Sequence, residues 1–297
     1  MIVLDQPSAL RLFLEMQGSI VPRILHKILA VAALSAAILS IDKLALPLPH
    51  VSISAIGVFG IALSLFLGFR NNAAYDRWWE ARGLWGQLIA EIRNLGRQVT
   101  LFSPDAALHA RVLSNAVAFA HLHRGALRGD DTRADIAPWI GGAEADALLA
   151  RPNPADAALS RLNAALAEAE LDGYARMTLS RTLSAMGLAQ AGGERIATTP
   201  LPFVYSLLVR RTTYLYCFLL PFALAEQAGW FTPLLAAIVA YVFFGLQAVT
   251  RELEQPFHNV ENGLPLHAMC RVMEISASEA LGRPAPPPLA PVRGVLT

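Results

Sequence analysis

The chain has 297 residues, 24 basic against 23 acidic, and a formal net charge of +1, so no overall field draws it to nucleic acid or another polyanion. Only 16% of its residues are charged while 55% are apolar, and the mean hydropathy is +0.43, which excludes an ordinary water-soluble globule and points to a lipid bilayer. Cys217 and Cys270 lie far apart without metal-ligand spacing, so neither a disulfide framework nor a zinc ribbon is expected.

In chain order, residues 1–22 contain Asp5 and Glu15 and lack a continuous apolar core, so no cleavable signal is predicted there. They read as an N-terminal cytoplasmic segment. Four charge-free stretches follow, and charge matters because an ionised side chain at the bilayer centre costs about 2.5–3.5 kcal/mol even on the lenient insertion scale. Residues 51–69 and 227–250 supply 19 and 24 uncharged positions, close to the roughly 20 that span a hydrocarbon core. Residues 28–41 and 212–225 supply 14 each and lengthen into spans if Lys27 and Arg211 snorkel while Asp42 and Glu226 sit among headgroups. Arg23, Lys27, Arg70, Arg77, Arg82, Arg210, Arg211 and Arg251 flank one set of ends, whereas the short opposing loops carry only Lys43, so both termini are placed in the cytoplasm of an inner-membrane protein.

The predicted organisation is therefore all-α: membrane helices 1 and 2 within 23–69, a cytoplasmic helical region at 70–204, membrane helices 3 and 4 within 205–250, a cytoplasmic helix at 251–281 and a Pro-rich disordered tail at 282–297. Helical patterns in the cytoplasmic region cover 78–95, 106–123 and 157–189, with loop plus a short helix between 128 and 154. Pro221 is positioned to kink the third membrane helix.

The stretch 51–69 has two distinct faces. Gly60, Ser64 and Gly68 recur every fourth residue, the small-residue pattern that lets helices approach closely in lipid. Ile61, Leu65 and Phe69 form a parallel line about 12 Å long at a 1.5 Å rise per residue, which faces a pore, lipid or a neighbouring helix; spacing does not decide which. His121 and His123 are two apart, point to different helical faces and do not jointly hold a metal; a solvated or packed role is expected. Glu226 sits either at an outer mouth or among headgroups, and Arg210 and Arg211 serve either as anion attractors or as inner-side anchors. No nucleophile with its base, phosphate loop or carboxylate pair is found, so no catalytic residue, metal or cofactor is expected.

From Arg70 the chain reads R-N-N-A-A-Y-D-R-W-W-E-A-R-G-L-W-G-Q-L, preceded by F-L-G-F. This run, with Gly18, Ser19 and Ile20, with Glu194, Arg195 and Ile196 leading to the T-P-L-P-F of residues 199–203 and Tyr205, and with Pro256, Phe257, Leu264 and Pro265, resembles the bacterial branch of the bestrophin ion channels over nearly the whole chain. The resemblance implies a homopentamer in a lipid bilayer whose second membrane helices ring a central pore for small monovalent ions, chloride or other anions by the family's animal branch, with cation permeation left open. It places the hydrophobic neck on Ile61, Leu65 and Phe69 and a second, cytoplasmic constriction near Leu179, with Met177 and Leu183 as competitors. Asn71 and Asn72 then either solvate ions below the neck or bond between helices. The animal branch's calcium-binding acidic cluster is replaced here by H-N-V-E-N-G at 258–263, a poor supply for an ion that takes about six to eight oxygens, so calcium activation is not expected. A secondary transporter, or a membrane scaffold for a soluble partner, is the alternative, although neither inverted repeats nor interrupted spans are evident.

Overall fold

The computed structural model describes residues 1–3 and 15–297; of the N-terminal segment, residues 4–14, Asp5 among them, lie outside the described residues. Ten α-helices and one 3-10 turn make up the regular structure among the described residues, and the only strand-like features are isolated bridges. The chain divides into two compact units, one formed by 15–78 with 200–255 and the other by 1–3, 79–199 and 256–297 among the described residues.

The apolar unit holds α1 (Val21–Leu44), the first half of α2 (Ile53–Phe102), α8 (Phe203–Ala228) and α9 (Thr232–Leu253). By length and hydropathy, three helical stretches among the described residues are suited to crossing a membrane: α1, α2, and the combined run Phe203–Leu253. That last run is a hairpin. Its reversal falls at the 3-10 turn Gly229–Phe231, where Gly229 takes φ 50°, a conformation that L side chains rarely adopt. Beyond the turn, Gln247 Nε2 donates to Thr213 Oγ1 at 2.5 Å and approaches the Val209 carbonyl at 3.4 Å, fixing α9 antiparallel to α8. Pro22 and Pro233 start α1 and α9, where a missing N–H costs nothing.

Ile24, Val31, Ile56, Leu63, Leu67, Leu220 and Phe244 form the unit's core. Two of its buried hydroxyls are satisfied within their own helices: Ser35 donates to the Val31 carbonyl at 2.7 Å and Thr213 to the Val209 carbonyl at 2.8 Å. Gly60 is required by close packing, since a Cβ there would stand 2.7 Å from the Tyr216 hydroxyl.

The polar unit is built around α3 (Ala106–Arg128), which packs against α4 (Arg133–Ile140), α6 (Pro154–Ala167), α7 (Gly173–Thr198) and α10 (Leu266–Ala280), with α5 (Gly142–Leu149) bridging α4 and α6. Side-chain caps set the helix starts: Asp105 accepts from Ala107 N at 2.8 Å, Asn153 from Asp156 N at 3.1 Å and Asp172 from Ala175 N at 2.7 Å. Gly129, at φ 74°, closes α3 in the left-handed conformation.

Two expectations change here. The interval 128–154 holds two short helices, α4 and α5, where one was expected. The helical pattern over 157–189 is split between α6 and α7, because Asp172 caps a new helix with its carboxylate. Residues 282–297 are non-helical, as their prolines require, and Val3 N donates to the Gly294 carbonyl at 2.9 Å, Leu296 N to the Met1 carbonyl at 2.8 Å, and Ala268 N to the Thr297 carbonyl at 2.8 Å. The Met1 ammonium also bonds the Leu296 carbonyl.

Candidate pore helix and its anchors

Helix α2 begins within the charge-free stretch and continues unbroken past the unit boundary at Trp78. In its first half, Ile56, Gly60, Leu63, Leu67, Arg70 and Ala74 are buried at alternating spacings of three and four, so one helical stripe packs into the apolar unit. The opposite side is bare: Ile61 is 65% exposed, Leu65 58% and Phe69 64%. These three side chains hold no place in the subunit's own core. The small-residue stripe divides, because Gly60 meets Tyr216 while Ser64 is exposed and a Cβ at Gly68 would meet open space.

Immediately below the line, Arg70 is buried, and its guanidinium meets Glu254 Oε2 at 3.2 Å; Arg77 Nε donates to the Glu254 carbonyl, also at 3.2 Å. Arg23 pairs with Glu252, two residues before Glu254. The end of α9 is thus tied to α1 and α2 by arginines that the charge pattern reads only as topological anchors. Thr250 Oγ1 lies 3.4 Å from Asn71 Oδ1, an interhelical contact, whereas Asn72 is exposed. The Tyr205 hydroxyl donates to the Phe66 carbonyl at 3.0 Å and fixes the start of α8 against α2. Arg210, Arg211 and Glu226 are exposed.

The residues considered for a second constriction fare differently. Leu179 is 1% exposed and Leu183 8%, both enclosed by their own subunit, while Met177 is 47% exposed. Of the three, Met177 is the one whose side chain its own subunit leaves exposed. Tyr174, at the exposed start of α7, was not singled out from the sequence.

In the polar unit, His123 is buried between Trp85 and Phe119, with ring centroids at 5.5 and 6.1 Å and nearly parallel planes. Burial lowers its pKa to about 4, so the ring is neutral near pH 7. His121 faces elsewhere and enters a charged network: Arg124 Nη1 donates to His121 Nδ1 at 3.2 Å, and His121 Nε2 meets Glu274 Oε1 at 2.7 Å. A guanidinium only donates, so His121 is assigned the Nε2–H tautomer. Both histidines take the packed role, on different faces.

The loop after α9 is closed by Leu264 N donating to the Pro256 carbonyl at 2.9 Å, and Gly263 is obligatory because a Cβ would stand 2.2 Å from the His258 carbonyl oxygen. Arg128 pins it, donating to the Phe257 carbonyl at 3.0 Å, to the Leu264 carbonyl at 2.6 Å and to His267 Nδ1 at 2.7 Å. Burial, and then the positive charges of Arg124 and Arg128, lowers the His267 pKa, which keeps that nitrogen available as an acceptor. Two of the loop's carbonyl oxygens are therefore engaged by a resident guanidinium.

Residues 1–279 match the family described as Bacterial/Fungal Bestrophin protein. A voltage-dependent anion channel-forming protein of Mesorhizobium japonicum is 47% identical over 296 residues, covering 98% of this chain and 95% of that protein. A protein of the same description from Escherichia coli is 36% identical over 284 residues, covering 93% and 92%. The crystal structure of a bacterial bestrophin homologue from Klebsiella pneumoniae superposes with a TM-score of 0.82 at 31% identity, covering 88% of this chain and 99% of that one.

Proposed function

Because the chain belongs to the bacterial and fungal bestrophin family, we propose that it forms an anion-conducting channel in the inner membrane, a homopentamer in which five copies of α2 surround the conduit. The observation that carries this reading is the bare apolar line Ile61, Leu65 and Phe69, set opposite the stripe by which α2 packs into its own subunit. One helix cannot enclose a passage, so the line acquires a function only when rotated copies face a common axis. The number five comes from the family resemblance, and anion preference from the descriptions of the relatives. In this arrangement α1, α8 and α9 supply the remaining spans, with the arginine-rich ends and both termini in the cytoplasm.

The apolar line forms the neck and gates by wetting and dewetting. Asn72 lies just inside it, and Met177 is the candidate for the second constriction. Purified protein is expected to have five times the chain mass in native nanodiscs, and in planar bilayers under a chloride gradient its current is expected to reverse close to the chloride equilibrium potential. A monomeric or dimeric particle refutes the assembly, and reversal at the cation potential refutes anion selectivity.

Calcium is expected to matter little. The loop at 256–263 offers one carboxylate, Glu261, and Arg128 already engages the carbonyls of Phe257 and neighbouring Leu264. Current should persist in chelator and change little on adding micromolar calcium; a steep calcium requirement in the same recordings contradicts this reading of the loop.

A further inference from the structure

Within the polar unit, the second half of α2 and helix α10 flank an open groove of about 460 Å³, inside the roughly 300–1,000 Å³ range of small-molecule sites. Its walls carry Arg93, Arg97 and Thr100 from α2, and Ser276 and Glu279 from α10, over a floor at Gly96. Residues 93, 97 and 100 are four and three apart and so share one helical face.

Neutral neighbours hold both guanidiniums in place. Arg93 Nε donates to Ser276 Oγ at 3.1 Å, and Arg97 Nη1 donates to Asn94 Oδ1 at 3.2 Å. Among the described residues neither arginine has a carboxylate within ion-pair reach, and Glu279 has no basic partner; the nearby pair on α10 is Arg271 with Glu274. The two hydroxyls turn their hydrogens away, Ser276 to the Val272 carbonyl at 3.0 Å and Thr100 to the Arg97 carbonyl at 3.0 Å. The hydrogens offered to a ligand are thus those of the guanidiniums: Arg93 keeps its Nη1/Nη2 edge and Arg97 its Nε/Nη2 edge. Each such edge presents two parallel N–H groups, the match for one carboxylate. Glu279 and the hydroxyl lone pairs present acceptors instead, the match for an ammonium.

Two cationic edges beside one carboxylate complement a molecule with two carboxylates and one ammonium. We infer that this groove binds an acidic amino acid, with Arg93 and Arg97 each taking a carboxylate and Glu279 taking the ammonium. Glu279 disfavours a dianion lacking the ammonium, and a mono-amide leaves one guanidinium edge unmatched, so selectivity comes from both repulsion and loss of pairing. The inference does not depend on the channel reading, because binding is measured without current.

Equilibrium binding of radiolabelled L-aspartate to the full-length protein in detergent tests it. Saturable binding is expected, with succinate and L-asparagine each at least about tenfold weaker as competitors, a difference of about 1.4 kcal/mol in binding free energy. Arg93→Gln and Arg97→Gln should each weaken L-aspartate binding by a similar factor while elution volume and melting temperature stay unchanged, as befits exposed side chains. Glu279→Gln should narrow the gap between L-aspartate and succinate. No saturable L-aspartate binding at millimolar concentration, competition by succinate or inorganic phosphate equal to that by L-aspartate, or unaltered binding in both arginine variants overturns the inference.

Discussion

Single-channel current or open probability is expected to rise several-fold when Ile61, Leu65 and Phe69 are replaced together by Ala. In a pentamer whose α2 helices face the axis, each residue contributes a ring of five apolar side chains, and a ring too narrow and too apolar to stay hydrated blocks ions without a closed door. Truncation to Ala widens the three rings and lowers the cost of keeping water between them. The fold should survive, because the cavity penalty of a large-to-small substitution applies to side chains packed on all sides, and these are more than half exposed in their own subunit. Truncation of Leu63 and Leu67, which lie in the core on the opposite stripe, is the contrasting case and should lower stability. Planar-bilayer recordings of the assembled triple variant settle the matter: conductance and open probability equal to those of the unsubstituted protein place the line against lipid and remove it from the gate.

Arg124→Ala is expected to be the most damaging single substitution in the polar unit. Arg124 is 2% exposed, donates to Asp135 Oδ2 at 2.6 Å and to His121 Nδ1 at 3.2 Å, and through His121 reaches Glu274, which also accepts from Arg271 Nε at 2.8 Å. The network joins α3 to α4 and α10. Arg124 is enclosed, but Asp135 keeps 39% of its side chain exposed and is screened by water, so the loss is that of the hydrogen bonds Arg124 makes, about 1–3 kcal/mol. The thermal midpoint in detergent should therefore fall by roughly 3–10 °C. Arg133→Ala is the control. Its pair with Asp146 is bidentate, at 2.6 and 3.0 Å, but both side chains are solvated and the midpoint should not move. Equal melting of Arg124→Ala and Arg133→Ala contradicts this account of the network.

Much of the architecture is legible locally. Charge-free stretches locate the apolar helices because the cost of burying a charge is independent of its distant neighbours, and Asp105, Asn153 and Asp172 cap helices through bonds to residues two or three positions away. The line Ile61, Leu65 and Phe69 follows from helical period alone, and the F-L-G-F-R-N-N run carries the family. What a line of apolar residues faces is not a local property. Period establishes that three side chains share a side, and only the packing of Ile56, Leu63 and Leu67 on the opposite stripe shows that this side is left bare.

The tertiary structure alone decided the rest. Arg70 reads as an interfacial anchor until Glu254, 184 residues later, is found beside it. The enclosure of Leu179 by its own subunit and the pairing of backbone in 292–297 with Met1 and Val3 are likewise absent from the local pattern. Sequence by itself determined the helices, their apolar and polar sides and the family to which they belong, since these depend on spacings of three or four residues and on the cost of burying charge. Which charges pair and which leucines are enclosed depend on contacts outside the helical period, from Arg124 with Asp135, 11 residues on, to Arg70 with Glu254, 184 residues on, and chain periodicity carries no information about the partner on the far side of such a contact.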